Sequence, residues 1–471
     1  MKKIIVYISL FFTIPAFTQV TAPFPDREGQ GEGLQGFFTL QQLKDSALQH
    51  NLAVRTAEHN IEAARQQRRE AFTNFFPNVS ATALTFNANR GMAKMNIDPQ
   101  EFIPSSFAAS LSTLLPAEML AGLASPISMS MMKSGTIASV MAMQPVFAGG
   151  QIVNGNKLAR VGEDVSQLQL QLARQKVEHQ TEQYYWQLVT LQEKMNTLDR
   201  VDSLLANIYN NVEVAVRAGV ALRNDLLQVQ LRQNDMASQR LKLQNGISIV
   251  KQVLGQYANL TPNSIGEGSN YSFNIVMPDF SQQDYILPSP TGEGSGVRLL
   301  PEYQLLEKQV EAATLQRRMT VGQNMPTVAV GAGYNYHNLL DNDRTFAMLF
   351  ATVSVPISQW WGGSHAIRRS TIEVKKAEEQ LADNAQLLTI RMQQTANSVE
   401  EARQQWLLAQ QSVEQADENL RLHTNQYQAG TTTMSDLLEA QLLMQQAHDK
   451  QTEAYANLQV ALLEYGQARG M

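Results

Sequence analysis

The sequence RAGVALRNDLLQVQL, residues 217–231, returns as QAGTTTMSDLLEAQL at residues 428–442. Seven of the fifteen positions are identical: Ala218/Ala429, Gly219/Gly430, Asp225/Asp436, Leu226/Leu437, Leu227/Leu438, Gln230/Gln441 and Leu231/Leu442. A glycine directly after a helix commonly takes the left-handed conformation that ends the helix. The repetition therefore predicts two helix–turn–helix connections of the same design, in two copies of one structural plan.

The repeat extends beyond this motif on both sides. EAARQQRREAFTNFFPNVS, residues 62–80, matches EAATLQRRMTVGQNMPTVA, residues 311–329, and both contain an arginine pair and a later proline. QPVFAGG, residues 144–150, matches VPISQWWGG, residues 355–363, with two residues inserted before the glycine pair. Each half is therefore predicted as helix, Pro, strand, loop, strand, Pro, Gly-Gly, very long helix, Ala-Gly and helix. The Pro/Gly/Ser-rich residues 287–297 are interpreted as a linker or surface loop.

Heptad spacing is the strongest pattern in the two long helices. From residue 385 to residue 427, apolar or small residues recur every three or four positions without a break. The same spacing runs from residue 177 to residue 216, where Asp202 is the one charged exception. This period is typical of coiled-coil packing. No proline interrupts residues 151–219, and about 1.5 Å per residue gives a helix on the order of 100 Å long.

Strand-like alternation separates the helices. In residues 326–337, one face carries apolar residues and then tyrosines, and the other carries small and polar residues. Such alternation is typical of membrane β-barrel strands with an aromatic girdle, although a soluble hairpin packed on a helix is the alternative. Residues 345–357, 78–90 and 135–147 take equivalent places. Four strands cannot close a membrane barrel alone, so the barrel is predicted to be shared between chains.

Composition and the N-terminus restrict the class of protein. The net charge of −6 argues against general nucleic-acid binding, which needs a basic surface. Two lysines followed by an apolar run make residues 1–22 a predicted secretory signal peptide. No later segment approaches the roughly 20 apolar residues of a membrane-spanning helix. The absence of cysteine excludes disulfides and thiolate metal sites.

No residue pattern predicts an enzyme or a cofactor. No two of the seven histidines lie within four residues of each other, which excludes helical zinc pairs. The methionines of residues 91–134 could bind cuprous ions, but adaptable packing or loop composition is the preferred interpretation. Two rival functions are a periplasmic coiled-coil adaptor or scaffold, and a surface-binding protein that uses the Met-rich loop.

The duplicated strand–strand–long-helix plan and the YQAGTTTMSDLLEA motif, residues 427–440, resemble the TolC family of bacterial outer-membrane efflux channels. The resemblance covers about residues 38–470. It implies a mainly α fold with a small membrane β part, in which long antiparallel coiled-coil helices accompany four strands per chain. It further implies a homotrimer with a shared β-barrel continued by an α-helical barrel in the periplasm. The expected partners are outer-membrane lipid, a periplasmic adaptor and an inner-membrane pump, which supplies the energy and the selectivity for the exported cargo.

The expected domain plan follows from the duplication. It consists of a signal peptide at 1–22, an N-terminal linker at 23–37, a first efflux repeat at 38–260, a linker at 261–297 and a second repeat at 298–471. The strands are expected near 77–90, 135–147, 326–338 and 345–357. The long helices are expected near 151–217, 222–258, 364–428 and 432–469.

The resemblance also assigns roles to residues around the repeated motif. Two short turns at the periplasmic ends of the coiled coils would be adaptor-docking tips: Ala218, Gly219 and Val220, and Ala429, Gly430 and Thr431. Asp436 and Glu439 share a helix face and would line the closed mouth as a ring of six carboxylates in the trimer. A solvated helix face is the alternative for this pair. Asp225 and Tyr427 resemble the gate-tethering residues, whereas the family's gate arginine would fall near Thr432, so that part of the latch is missing or different here.

Overall fold

The computed structural model describes residues 37–89, 93–97, 127–131, 134–260, 273–278, 297–339 and 342–470. The predicted signal peptide, nearly all of the first linker, and most of the inter-repeat linker and Met-rich loop lie outside these ranges. Within the described residues, no helix combines the length and the apolar character that crossing a bilayer would require.

Elements of the first half follow one another as short helices, strands and two long helices. Their bounds are β1 Phe37–Phe38, α1 Leu40–His50, α2 Leu52–Thr73, β2 Asn78–Asn87, β3 Ala93–Ile97, β4 Ile127–Met131, β5 Ser134–Ala148, α3 Gln151–Arg217 and α4 Arg223–Tyr257. The 67 residues of α3 span about 100 Å at 1.5 Å per residue. The length expected from the heptad pattern is therefore present in the fold.

Elements of the second half repeat this order with one helix before the strands. Their bounds are β6 Asn274–Ile275, a 3₁₀ turn Val297–Leu299, α5 Pro301–Gln323, β7 Thr327–Leu339, β8 Asn342–Ser354, α6 Gln359–Gln428 and α7 Met434–Arg469. β6 pairs in parallel with β1, which ties the segment between the halves to the beginning of the described chain.

The four longer strands form one antiparallel sheet in the order β2-β5-β7-β8. β5 pairs with both β2 and β7, and β8 continues the sheet on the other side of β7. Among the described residues, β2 and β8 each pair on one edge only. The predicted fold class, with long helices and four strands per chain, is confirmed.

One face of this sheet is lined by small and apolar side chains. Ala332 on β7 lies opposite Ala142 on β5 and Leu349 on β8, so the three share this face. Leu349 is 86% exposed, and Val353 further along the same face is also exposed. The neighbouring residue Met348 points to the opposite face because successive strand side chains alternate. We call the first face, defined by Ala142, Ala332, Leu349 and Val353, the apolar face.

The long helices pack along the predicted heptad seam. None of the seam residues of α3 or α6 is exposed, and the seam of α3 includes fully buried Leu188 and Leu205. The charged exception, Asp202, is paired with Arg240 of α4, which also contacts Asp199 at 2.7 Å. The ion pairs explain how a carboxylate occupies a seam position, because its partner comes from the facing helix.

A core of aromatic and aliphatic residues joins the two halves. Trp186 of α3 contacts Tyr455 of α7, whose ring lies 6.0 Å from that of Trp406 in α6. Leu43 of α1 and Phe273, just before β6, belong to the same buried cluster. The two repeats therefore form one continuous packed unit rather than separate bodies.

Two features differ from the sequence prediction. β3 and β4 form an additional antiparallel hairpin inside the Met-rich segment that was expected to be a loop. The glycine pair Gly362-Gly363 lies inside α6, which begins at Gln359, whereas Gly149 and Gly150 precede α3 with positive φ angles. Glycine is favoured at residue 149 because φ is 59° there and a Cβ would lie 2.3 Å from the carbonyl oxygen of Gly322.

Candidate channel mouth at the paired helix turns

The turn between α3 and α4 is a glycine-terminated Schellman motif. Gly219 has φ 74°, the left-handed region that favours glycine. Its N–H donates to the Val216 carbonyl at 3.0 Å, and the Val220 N–H donates to the Ala215 carbonyl at 2.9 Å. These two bonds satisfy carbonyls at the end of α3 and reverse the chain into α4.

The turn between α6 and α7 repeats this geometry. Gly430 has φ 71°, and its N–H donates to the Tyr427 carbonyl at 3.0 Å. The Thr431 N–H donates to the Gln426 carbonyl at 2.9 Å, in the same pattern as its counterpart in the first turn. The repeated sequence motif thus produces a repeated backbone structure.

All six residues predicted as docking tips are exposed: Ala218, Gly219, Val220, Ala429, Gly430 and Thr431. Val220 is 80% exposed, although it is apolar. A Cβ added at Gly219 or Gly430 would meet no atom within 4 Å, so the backbone conformation rather than crowding favours glycine.

A small apolar cluster brings the two turns to the same end of the molecule. Ile208 and Val212 of α3, Val229 of α4, and Met434 and Leu437 of α7 are buried together. Because these residues lie near the ends of helices from both repeats, the cluster fixes the first turn beside the second.

A cavity of about 700 Å³ lies between the turns and contains both predicted tether residues, Asp225 and Tyr427. Burial raises the pKa of Tyr427, and the negative charge of Asp225 raises it further. Asp225 Oδ2 also accepts a hydrogen bond from the Leu222 N–H at 3.3 Å, at the beginning of α4. Thr432, at the position where the resemblance expects an arginine, lines the same cavity.

The predicted ring residues Asp436 and Glu439 lie in the first two turns of α7. Thr433 is the N-cap of this helix and Asp436 is the N3 residue of its capping box. The Oδ2 of Asp436 accepts from the Thr433 N–H at 3.0 Å, the Thr433 hydroxyl at 2.6 Å and the Thr432 hydroxyl at 2.9 Å. The Thr433 bonds, followed by the Thr432 bond, hold the pKa of Asp436 below its usual value. Glu439 is exposed.

A polar network that the sequence prediction missed joins the two coiled coils one to two turns further along. Arg232 of α4 donates from Nε to Gln441 Oε1 at 2.9 Å and from Nη2 to Gln445 Oε1 at 3.0 Å, both on α7. Gln445 in turn donates to Gln239 of α4 at 2.9 Å. Gln441 is fully buried, and burial lowers the pKa of Arg232 while nearby Asp235 partly offsets this effect. The sequence contains one indication of this network: a glutamine occupies the same place in both repeats, as Gln230 and Gln441.

The second half of the chain matches a protein family. Residues 301–470 match the family described as Outer membrane efflux protein. A comparison with curated proteins finds no match.

Solved structures similar to the whole chain are those of outer-membrane channels. The CmeC outer membrane channel of Campylobacter jejuni has a TM-score of 0.73 at 15% identity, covering 92% of this chain and 85% of that chain. The outer membrane protein VceC of Vibrio cholerae has a TM-score of 0.70 at 15% identity, covering 92% of this chain and 96% of that chain. The MtrE outer membrane channel of Neisseria gonorrhoeae, solved in an open state, has a TM-score of 0.69 at 15% identity, covering 92% and 88%.

These matches confirm the resemblance to TolC-like channels and show that the efflux-channel fold extends over both repeats. The matched family and the similar structures are outer-membrane efflux and channel proteins rather than enzymes.

Proposed function

We propose that the chain is one subunit of a homotrimeric outer-membrane channel that forms the exit duct of a tripartite efflux pump. The observation that carries this proposal is the sheet: four strands with exposed apolar side chains, and an outer edge on β2 and on β8 that pairs with no described strand. In lipid, unpaired backbone groups cost several kcal/mol each, so such edges must be closed by other copies.

Three copies supply twelve strands, which lies within the range observed for membrane barrels. The helices α3 and α6 then continue the barrel for about 100 Å on the periplasmic side. The two efflux repeats at 38–260 and 298–471, joined by residues 261–297, supply equal shares of this wall. The inner-membrane pump and the periplasmic adaptor are the expected partners.

The oligomeric state tests this proposal. The detergent-solubilised protein is expected to have the mass of three mature chains, each the 52.4 kDa of the full sequence less the signal peptide, because only a closed barrel leaves no open sheet edge. Light scattering coupled to size-exclusion chromatography, with the detergent mass subtracted, measures it. A monomer of unchanged helix content would contradict the shared barrel.

The exposed turns are the proposed contact with the adaptor. Thr431→Trp adds a large side chain to the second turn, where Thr431 is exposed, and should reduce efflux at least tenfold by blocking a close helix contact. Gly430→Trp should act in the same direction but also strains a backbone at φ 71°. Drug sensitivity of a strain that depends on this channel is the measurement.

Gly430→Asn is the matched control for the turn, since asparagine tolerates the left-handed conformation and remains small. It should retain efflux. Equal drug resistance for Thr431→Trp and the unmodified protein, at equal trimer levels, would show that the turn is not the docking point.

The Arg232 network is the proposed clamp that holds the two coiled coils together near the mouth. Arg232→Met removes the donors to Gln441 and Gln445 while keeping a side chain of similar length. We expect the channel conductance to rise several-fold, because the buried glutamines lose their shared partner and the coils separate more easily. Single-channel recording measures the change.

Arg240→Met is the matched control on the same helix. Arg240 pairs with Asp199 and Asp202 of α3, within one coiled coil, so its loss should leave the contact between coils intact. Equal conductance for the two variants would remove the clamp role from Arg232.

A further inference from the structure

A groove between α2 and α3 contains more cationic groups than its one carboxylate can neutralise. Its cavity of about 550 Å³ is lined by Arg65, Arg68, Arg69, Phe72, Asn156 and Glu163, which together we call the arginine groove. Arg65 Nε lies 3.3 Å and Arg68 Nη1 3.0 Å from the Glu163 carboxylate. The hydrogen bond from Arg68, more than that from Arg65, holds the pKa of Glu163 below its usual range, so this carboxylate stays ionised.

Two further donors in the groove are not used within the described residues. The Nδ2 of Asn156 is buried and has no hydrogen-bond partner there. Arg69 has no ion pair among the described side chains and is exposed. A guanidinium and an amide that converge on one cavity are suited to an anion with several oxygen atoms, such as a phosphate group.

The groove lies close to the sheet. The α2 residues 65, 68, 69 and 72 have the spacing of one helix face, and α2 ends at Thr73, only five residues before β2 begins. Arg65 is therefore about 12 Å from the end of the helix at 1.5 Å per residue. Exposed aromatic residues mark the same junctions: Phe72 and Phe76 before β2, and Trp360 and Trp361 after β8.

Aromatic side chains of this kind concentrate at the boundary between lipid and water. A basic groove directly beside them is at the depth of lipid headgroups, provided that the sheet crosses the membrane. We propose that the arginine groove binds the phosphate of an anionic phospholipid headgroup, with Phe72 against the apolar part of the lipid. This inference rests on the proposed membrane barrel and adds a specific lipid site to it.

The second repeat keeps the arginine pair as Arg317 and Arg318 but uses it differently. Arg317 Nε donates to the Thr371 hydroxyl at 3.0 Å, a neutral partner on α6. The groove with a buried unpaired amide is thus a feature of the first repeat, and one lipid site per chain is expected.

Native mass spectrometry of the purified trimer tests the site. The protein is reconstituted with phosphatidylglycerol or with zwitterionic phosphatidylcholine, extracted gently, and the retained lipid is counted. We expect up to three phosphatidylglycerol molecules per trimer, and about tenfold weaker retention in Arg69→Gln, because a charge-assisted hydrogen bond is lost. Arg68→Gln/Arg69→Gln should retain still less.

Arg174→Gln is the matched control, because Arg174 joins the same two helices through Glu58 at 3.2 Å, outside the groove. Its lipid retention should equal that of the unmodified trimer. Arg69→Gln separates binding from folding, since it breaks no described ion pair. Competition by inorganic phosphate tests whether a free phosphate ion, rather than a lipid headgroup, occupies the arginine groove.

Loss of phosphatidylglycerol in Arg69→Gln but not in Arg174→Gln supports the site. Equal retention in all variants, or displacement of the lipid by millimolar inorganic phosphate alone, overturns the lipid assignment. Ion conductance recorded on the same samples keeps the two proposals apart: intact pores without selective lipid retention would reject only the lipid site, whereas absence of pores would reject the channel.

Discussion

Neutralising Asp436 and Glu439 is expected to reduce the cation selectivity of the purified channel several-fold. In a trimer the pair would contribute six carboxylates at the mouth, and such rings favour cations over anions. Partly screened charges at pore distances interact by about 1 kcal/mol, so six together should change ion preference strongly. Asp436→Asn/Glu439→Gln is the test variant, and the reversal potential in a salt gradient across a planar bilayer is the measurement.

The two carboxylates should be tested separately as well, because Asp436 also caps α7. Asparagine keeps an oxygen that can accept from Thr433, so Asp436→Asn changes the charge with little loss of the cap. Glu378→Gln/Glu379→Gln is a control that removes two exposed carboxylates from a different helix, α6. Equal reversal potentials for the unmodified channel and Asp436→Asn/Glu439→Gln would show that the two carboxylates do not set ion selectivity. Asp436 would then serve only in the capping box, and Glu439 would lie on a solvated helix face.

The pH dependence of selectivity follows from the direction of the Asp436 shift. Crowding of carboxylates in a ring raises their pKa values, whereas the hydrogen bonds from Thr433 and Thr432 lower that of Asp436. In the single chain the hydrogen bonds keep Asp436 charged below the usual aspartate pKa of about 3.9, whereas crowding in the ring opposes this effect. Its capping contribution to stability is likewise present above that value and is lost as pH falls through the lowered pKa.

Placing a charge on the apolar face of the sheet is expected to abolish assembly in the membrane. Leu349→Arg introduces a guanidinium at a side chain that is 86% exposed in the single chain and would face lipid in a barrel. An arginine near the bilayer midplane costs about 2–4 kcal/mol, and a trimer carries three. The amount of trimer in outer-membrane fractions, measured by immunoblotting, should fall at least tenfold.

Met348→Arg is the control for this experiment. Met348 is the preceding residue of the same strand and points to the opposite face, so its replacement should be tolerated in a water-filled barrel. Equal loss of trimer for both variants would indicate a general folding defect. Equal tolerance would contradict a lipid-facing apolar face and favour a periplasmic scaffold, which salt would release from washed membranes.

Periodicity was sufficient to predict most of the architecture. The heptad seam of α3 and α6 identified residues that are buried, including Leu188 and Trp406, because a helix of this length can bury only a narrow stripe. Alternation in β7 predicted the two faces of the sheet, because successive side chains of a strand point to opposite faces. The four strands and the long helices of the fold class were therefore available from the sequence.

Contacts between distant segments were not predictable from local patterns. Arg232 finds its partners 209 and 213 residues later in the chain, and no spacing rule connects them. The pairing of β3 with β4 was missed because each strand has only five residues and no short turn joins them: β3 ends at Ile97 and β4 begins at Ile127. The cap by Asp436 was predictable, because Thr433 lies three residues before it in the arrangement of a capping box.

Conductance of the purified protein in a planar lipid bilayer is the direct test of whether the trimer forms a channel. We expect discrete, long-lived conductance steps, each from one trimer, with cations preferred over anions. The unmodified protein is added at trimer concentrations verified by light scattering, and a boiled sample serves as the control. Absence of conductance steps, with the protein shown by flotation to be inserted in lipid vesicles, would contradict a channel.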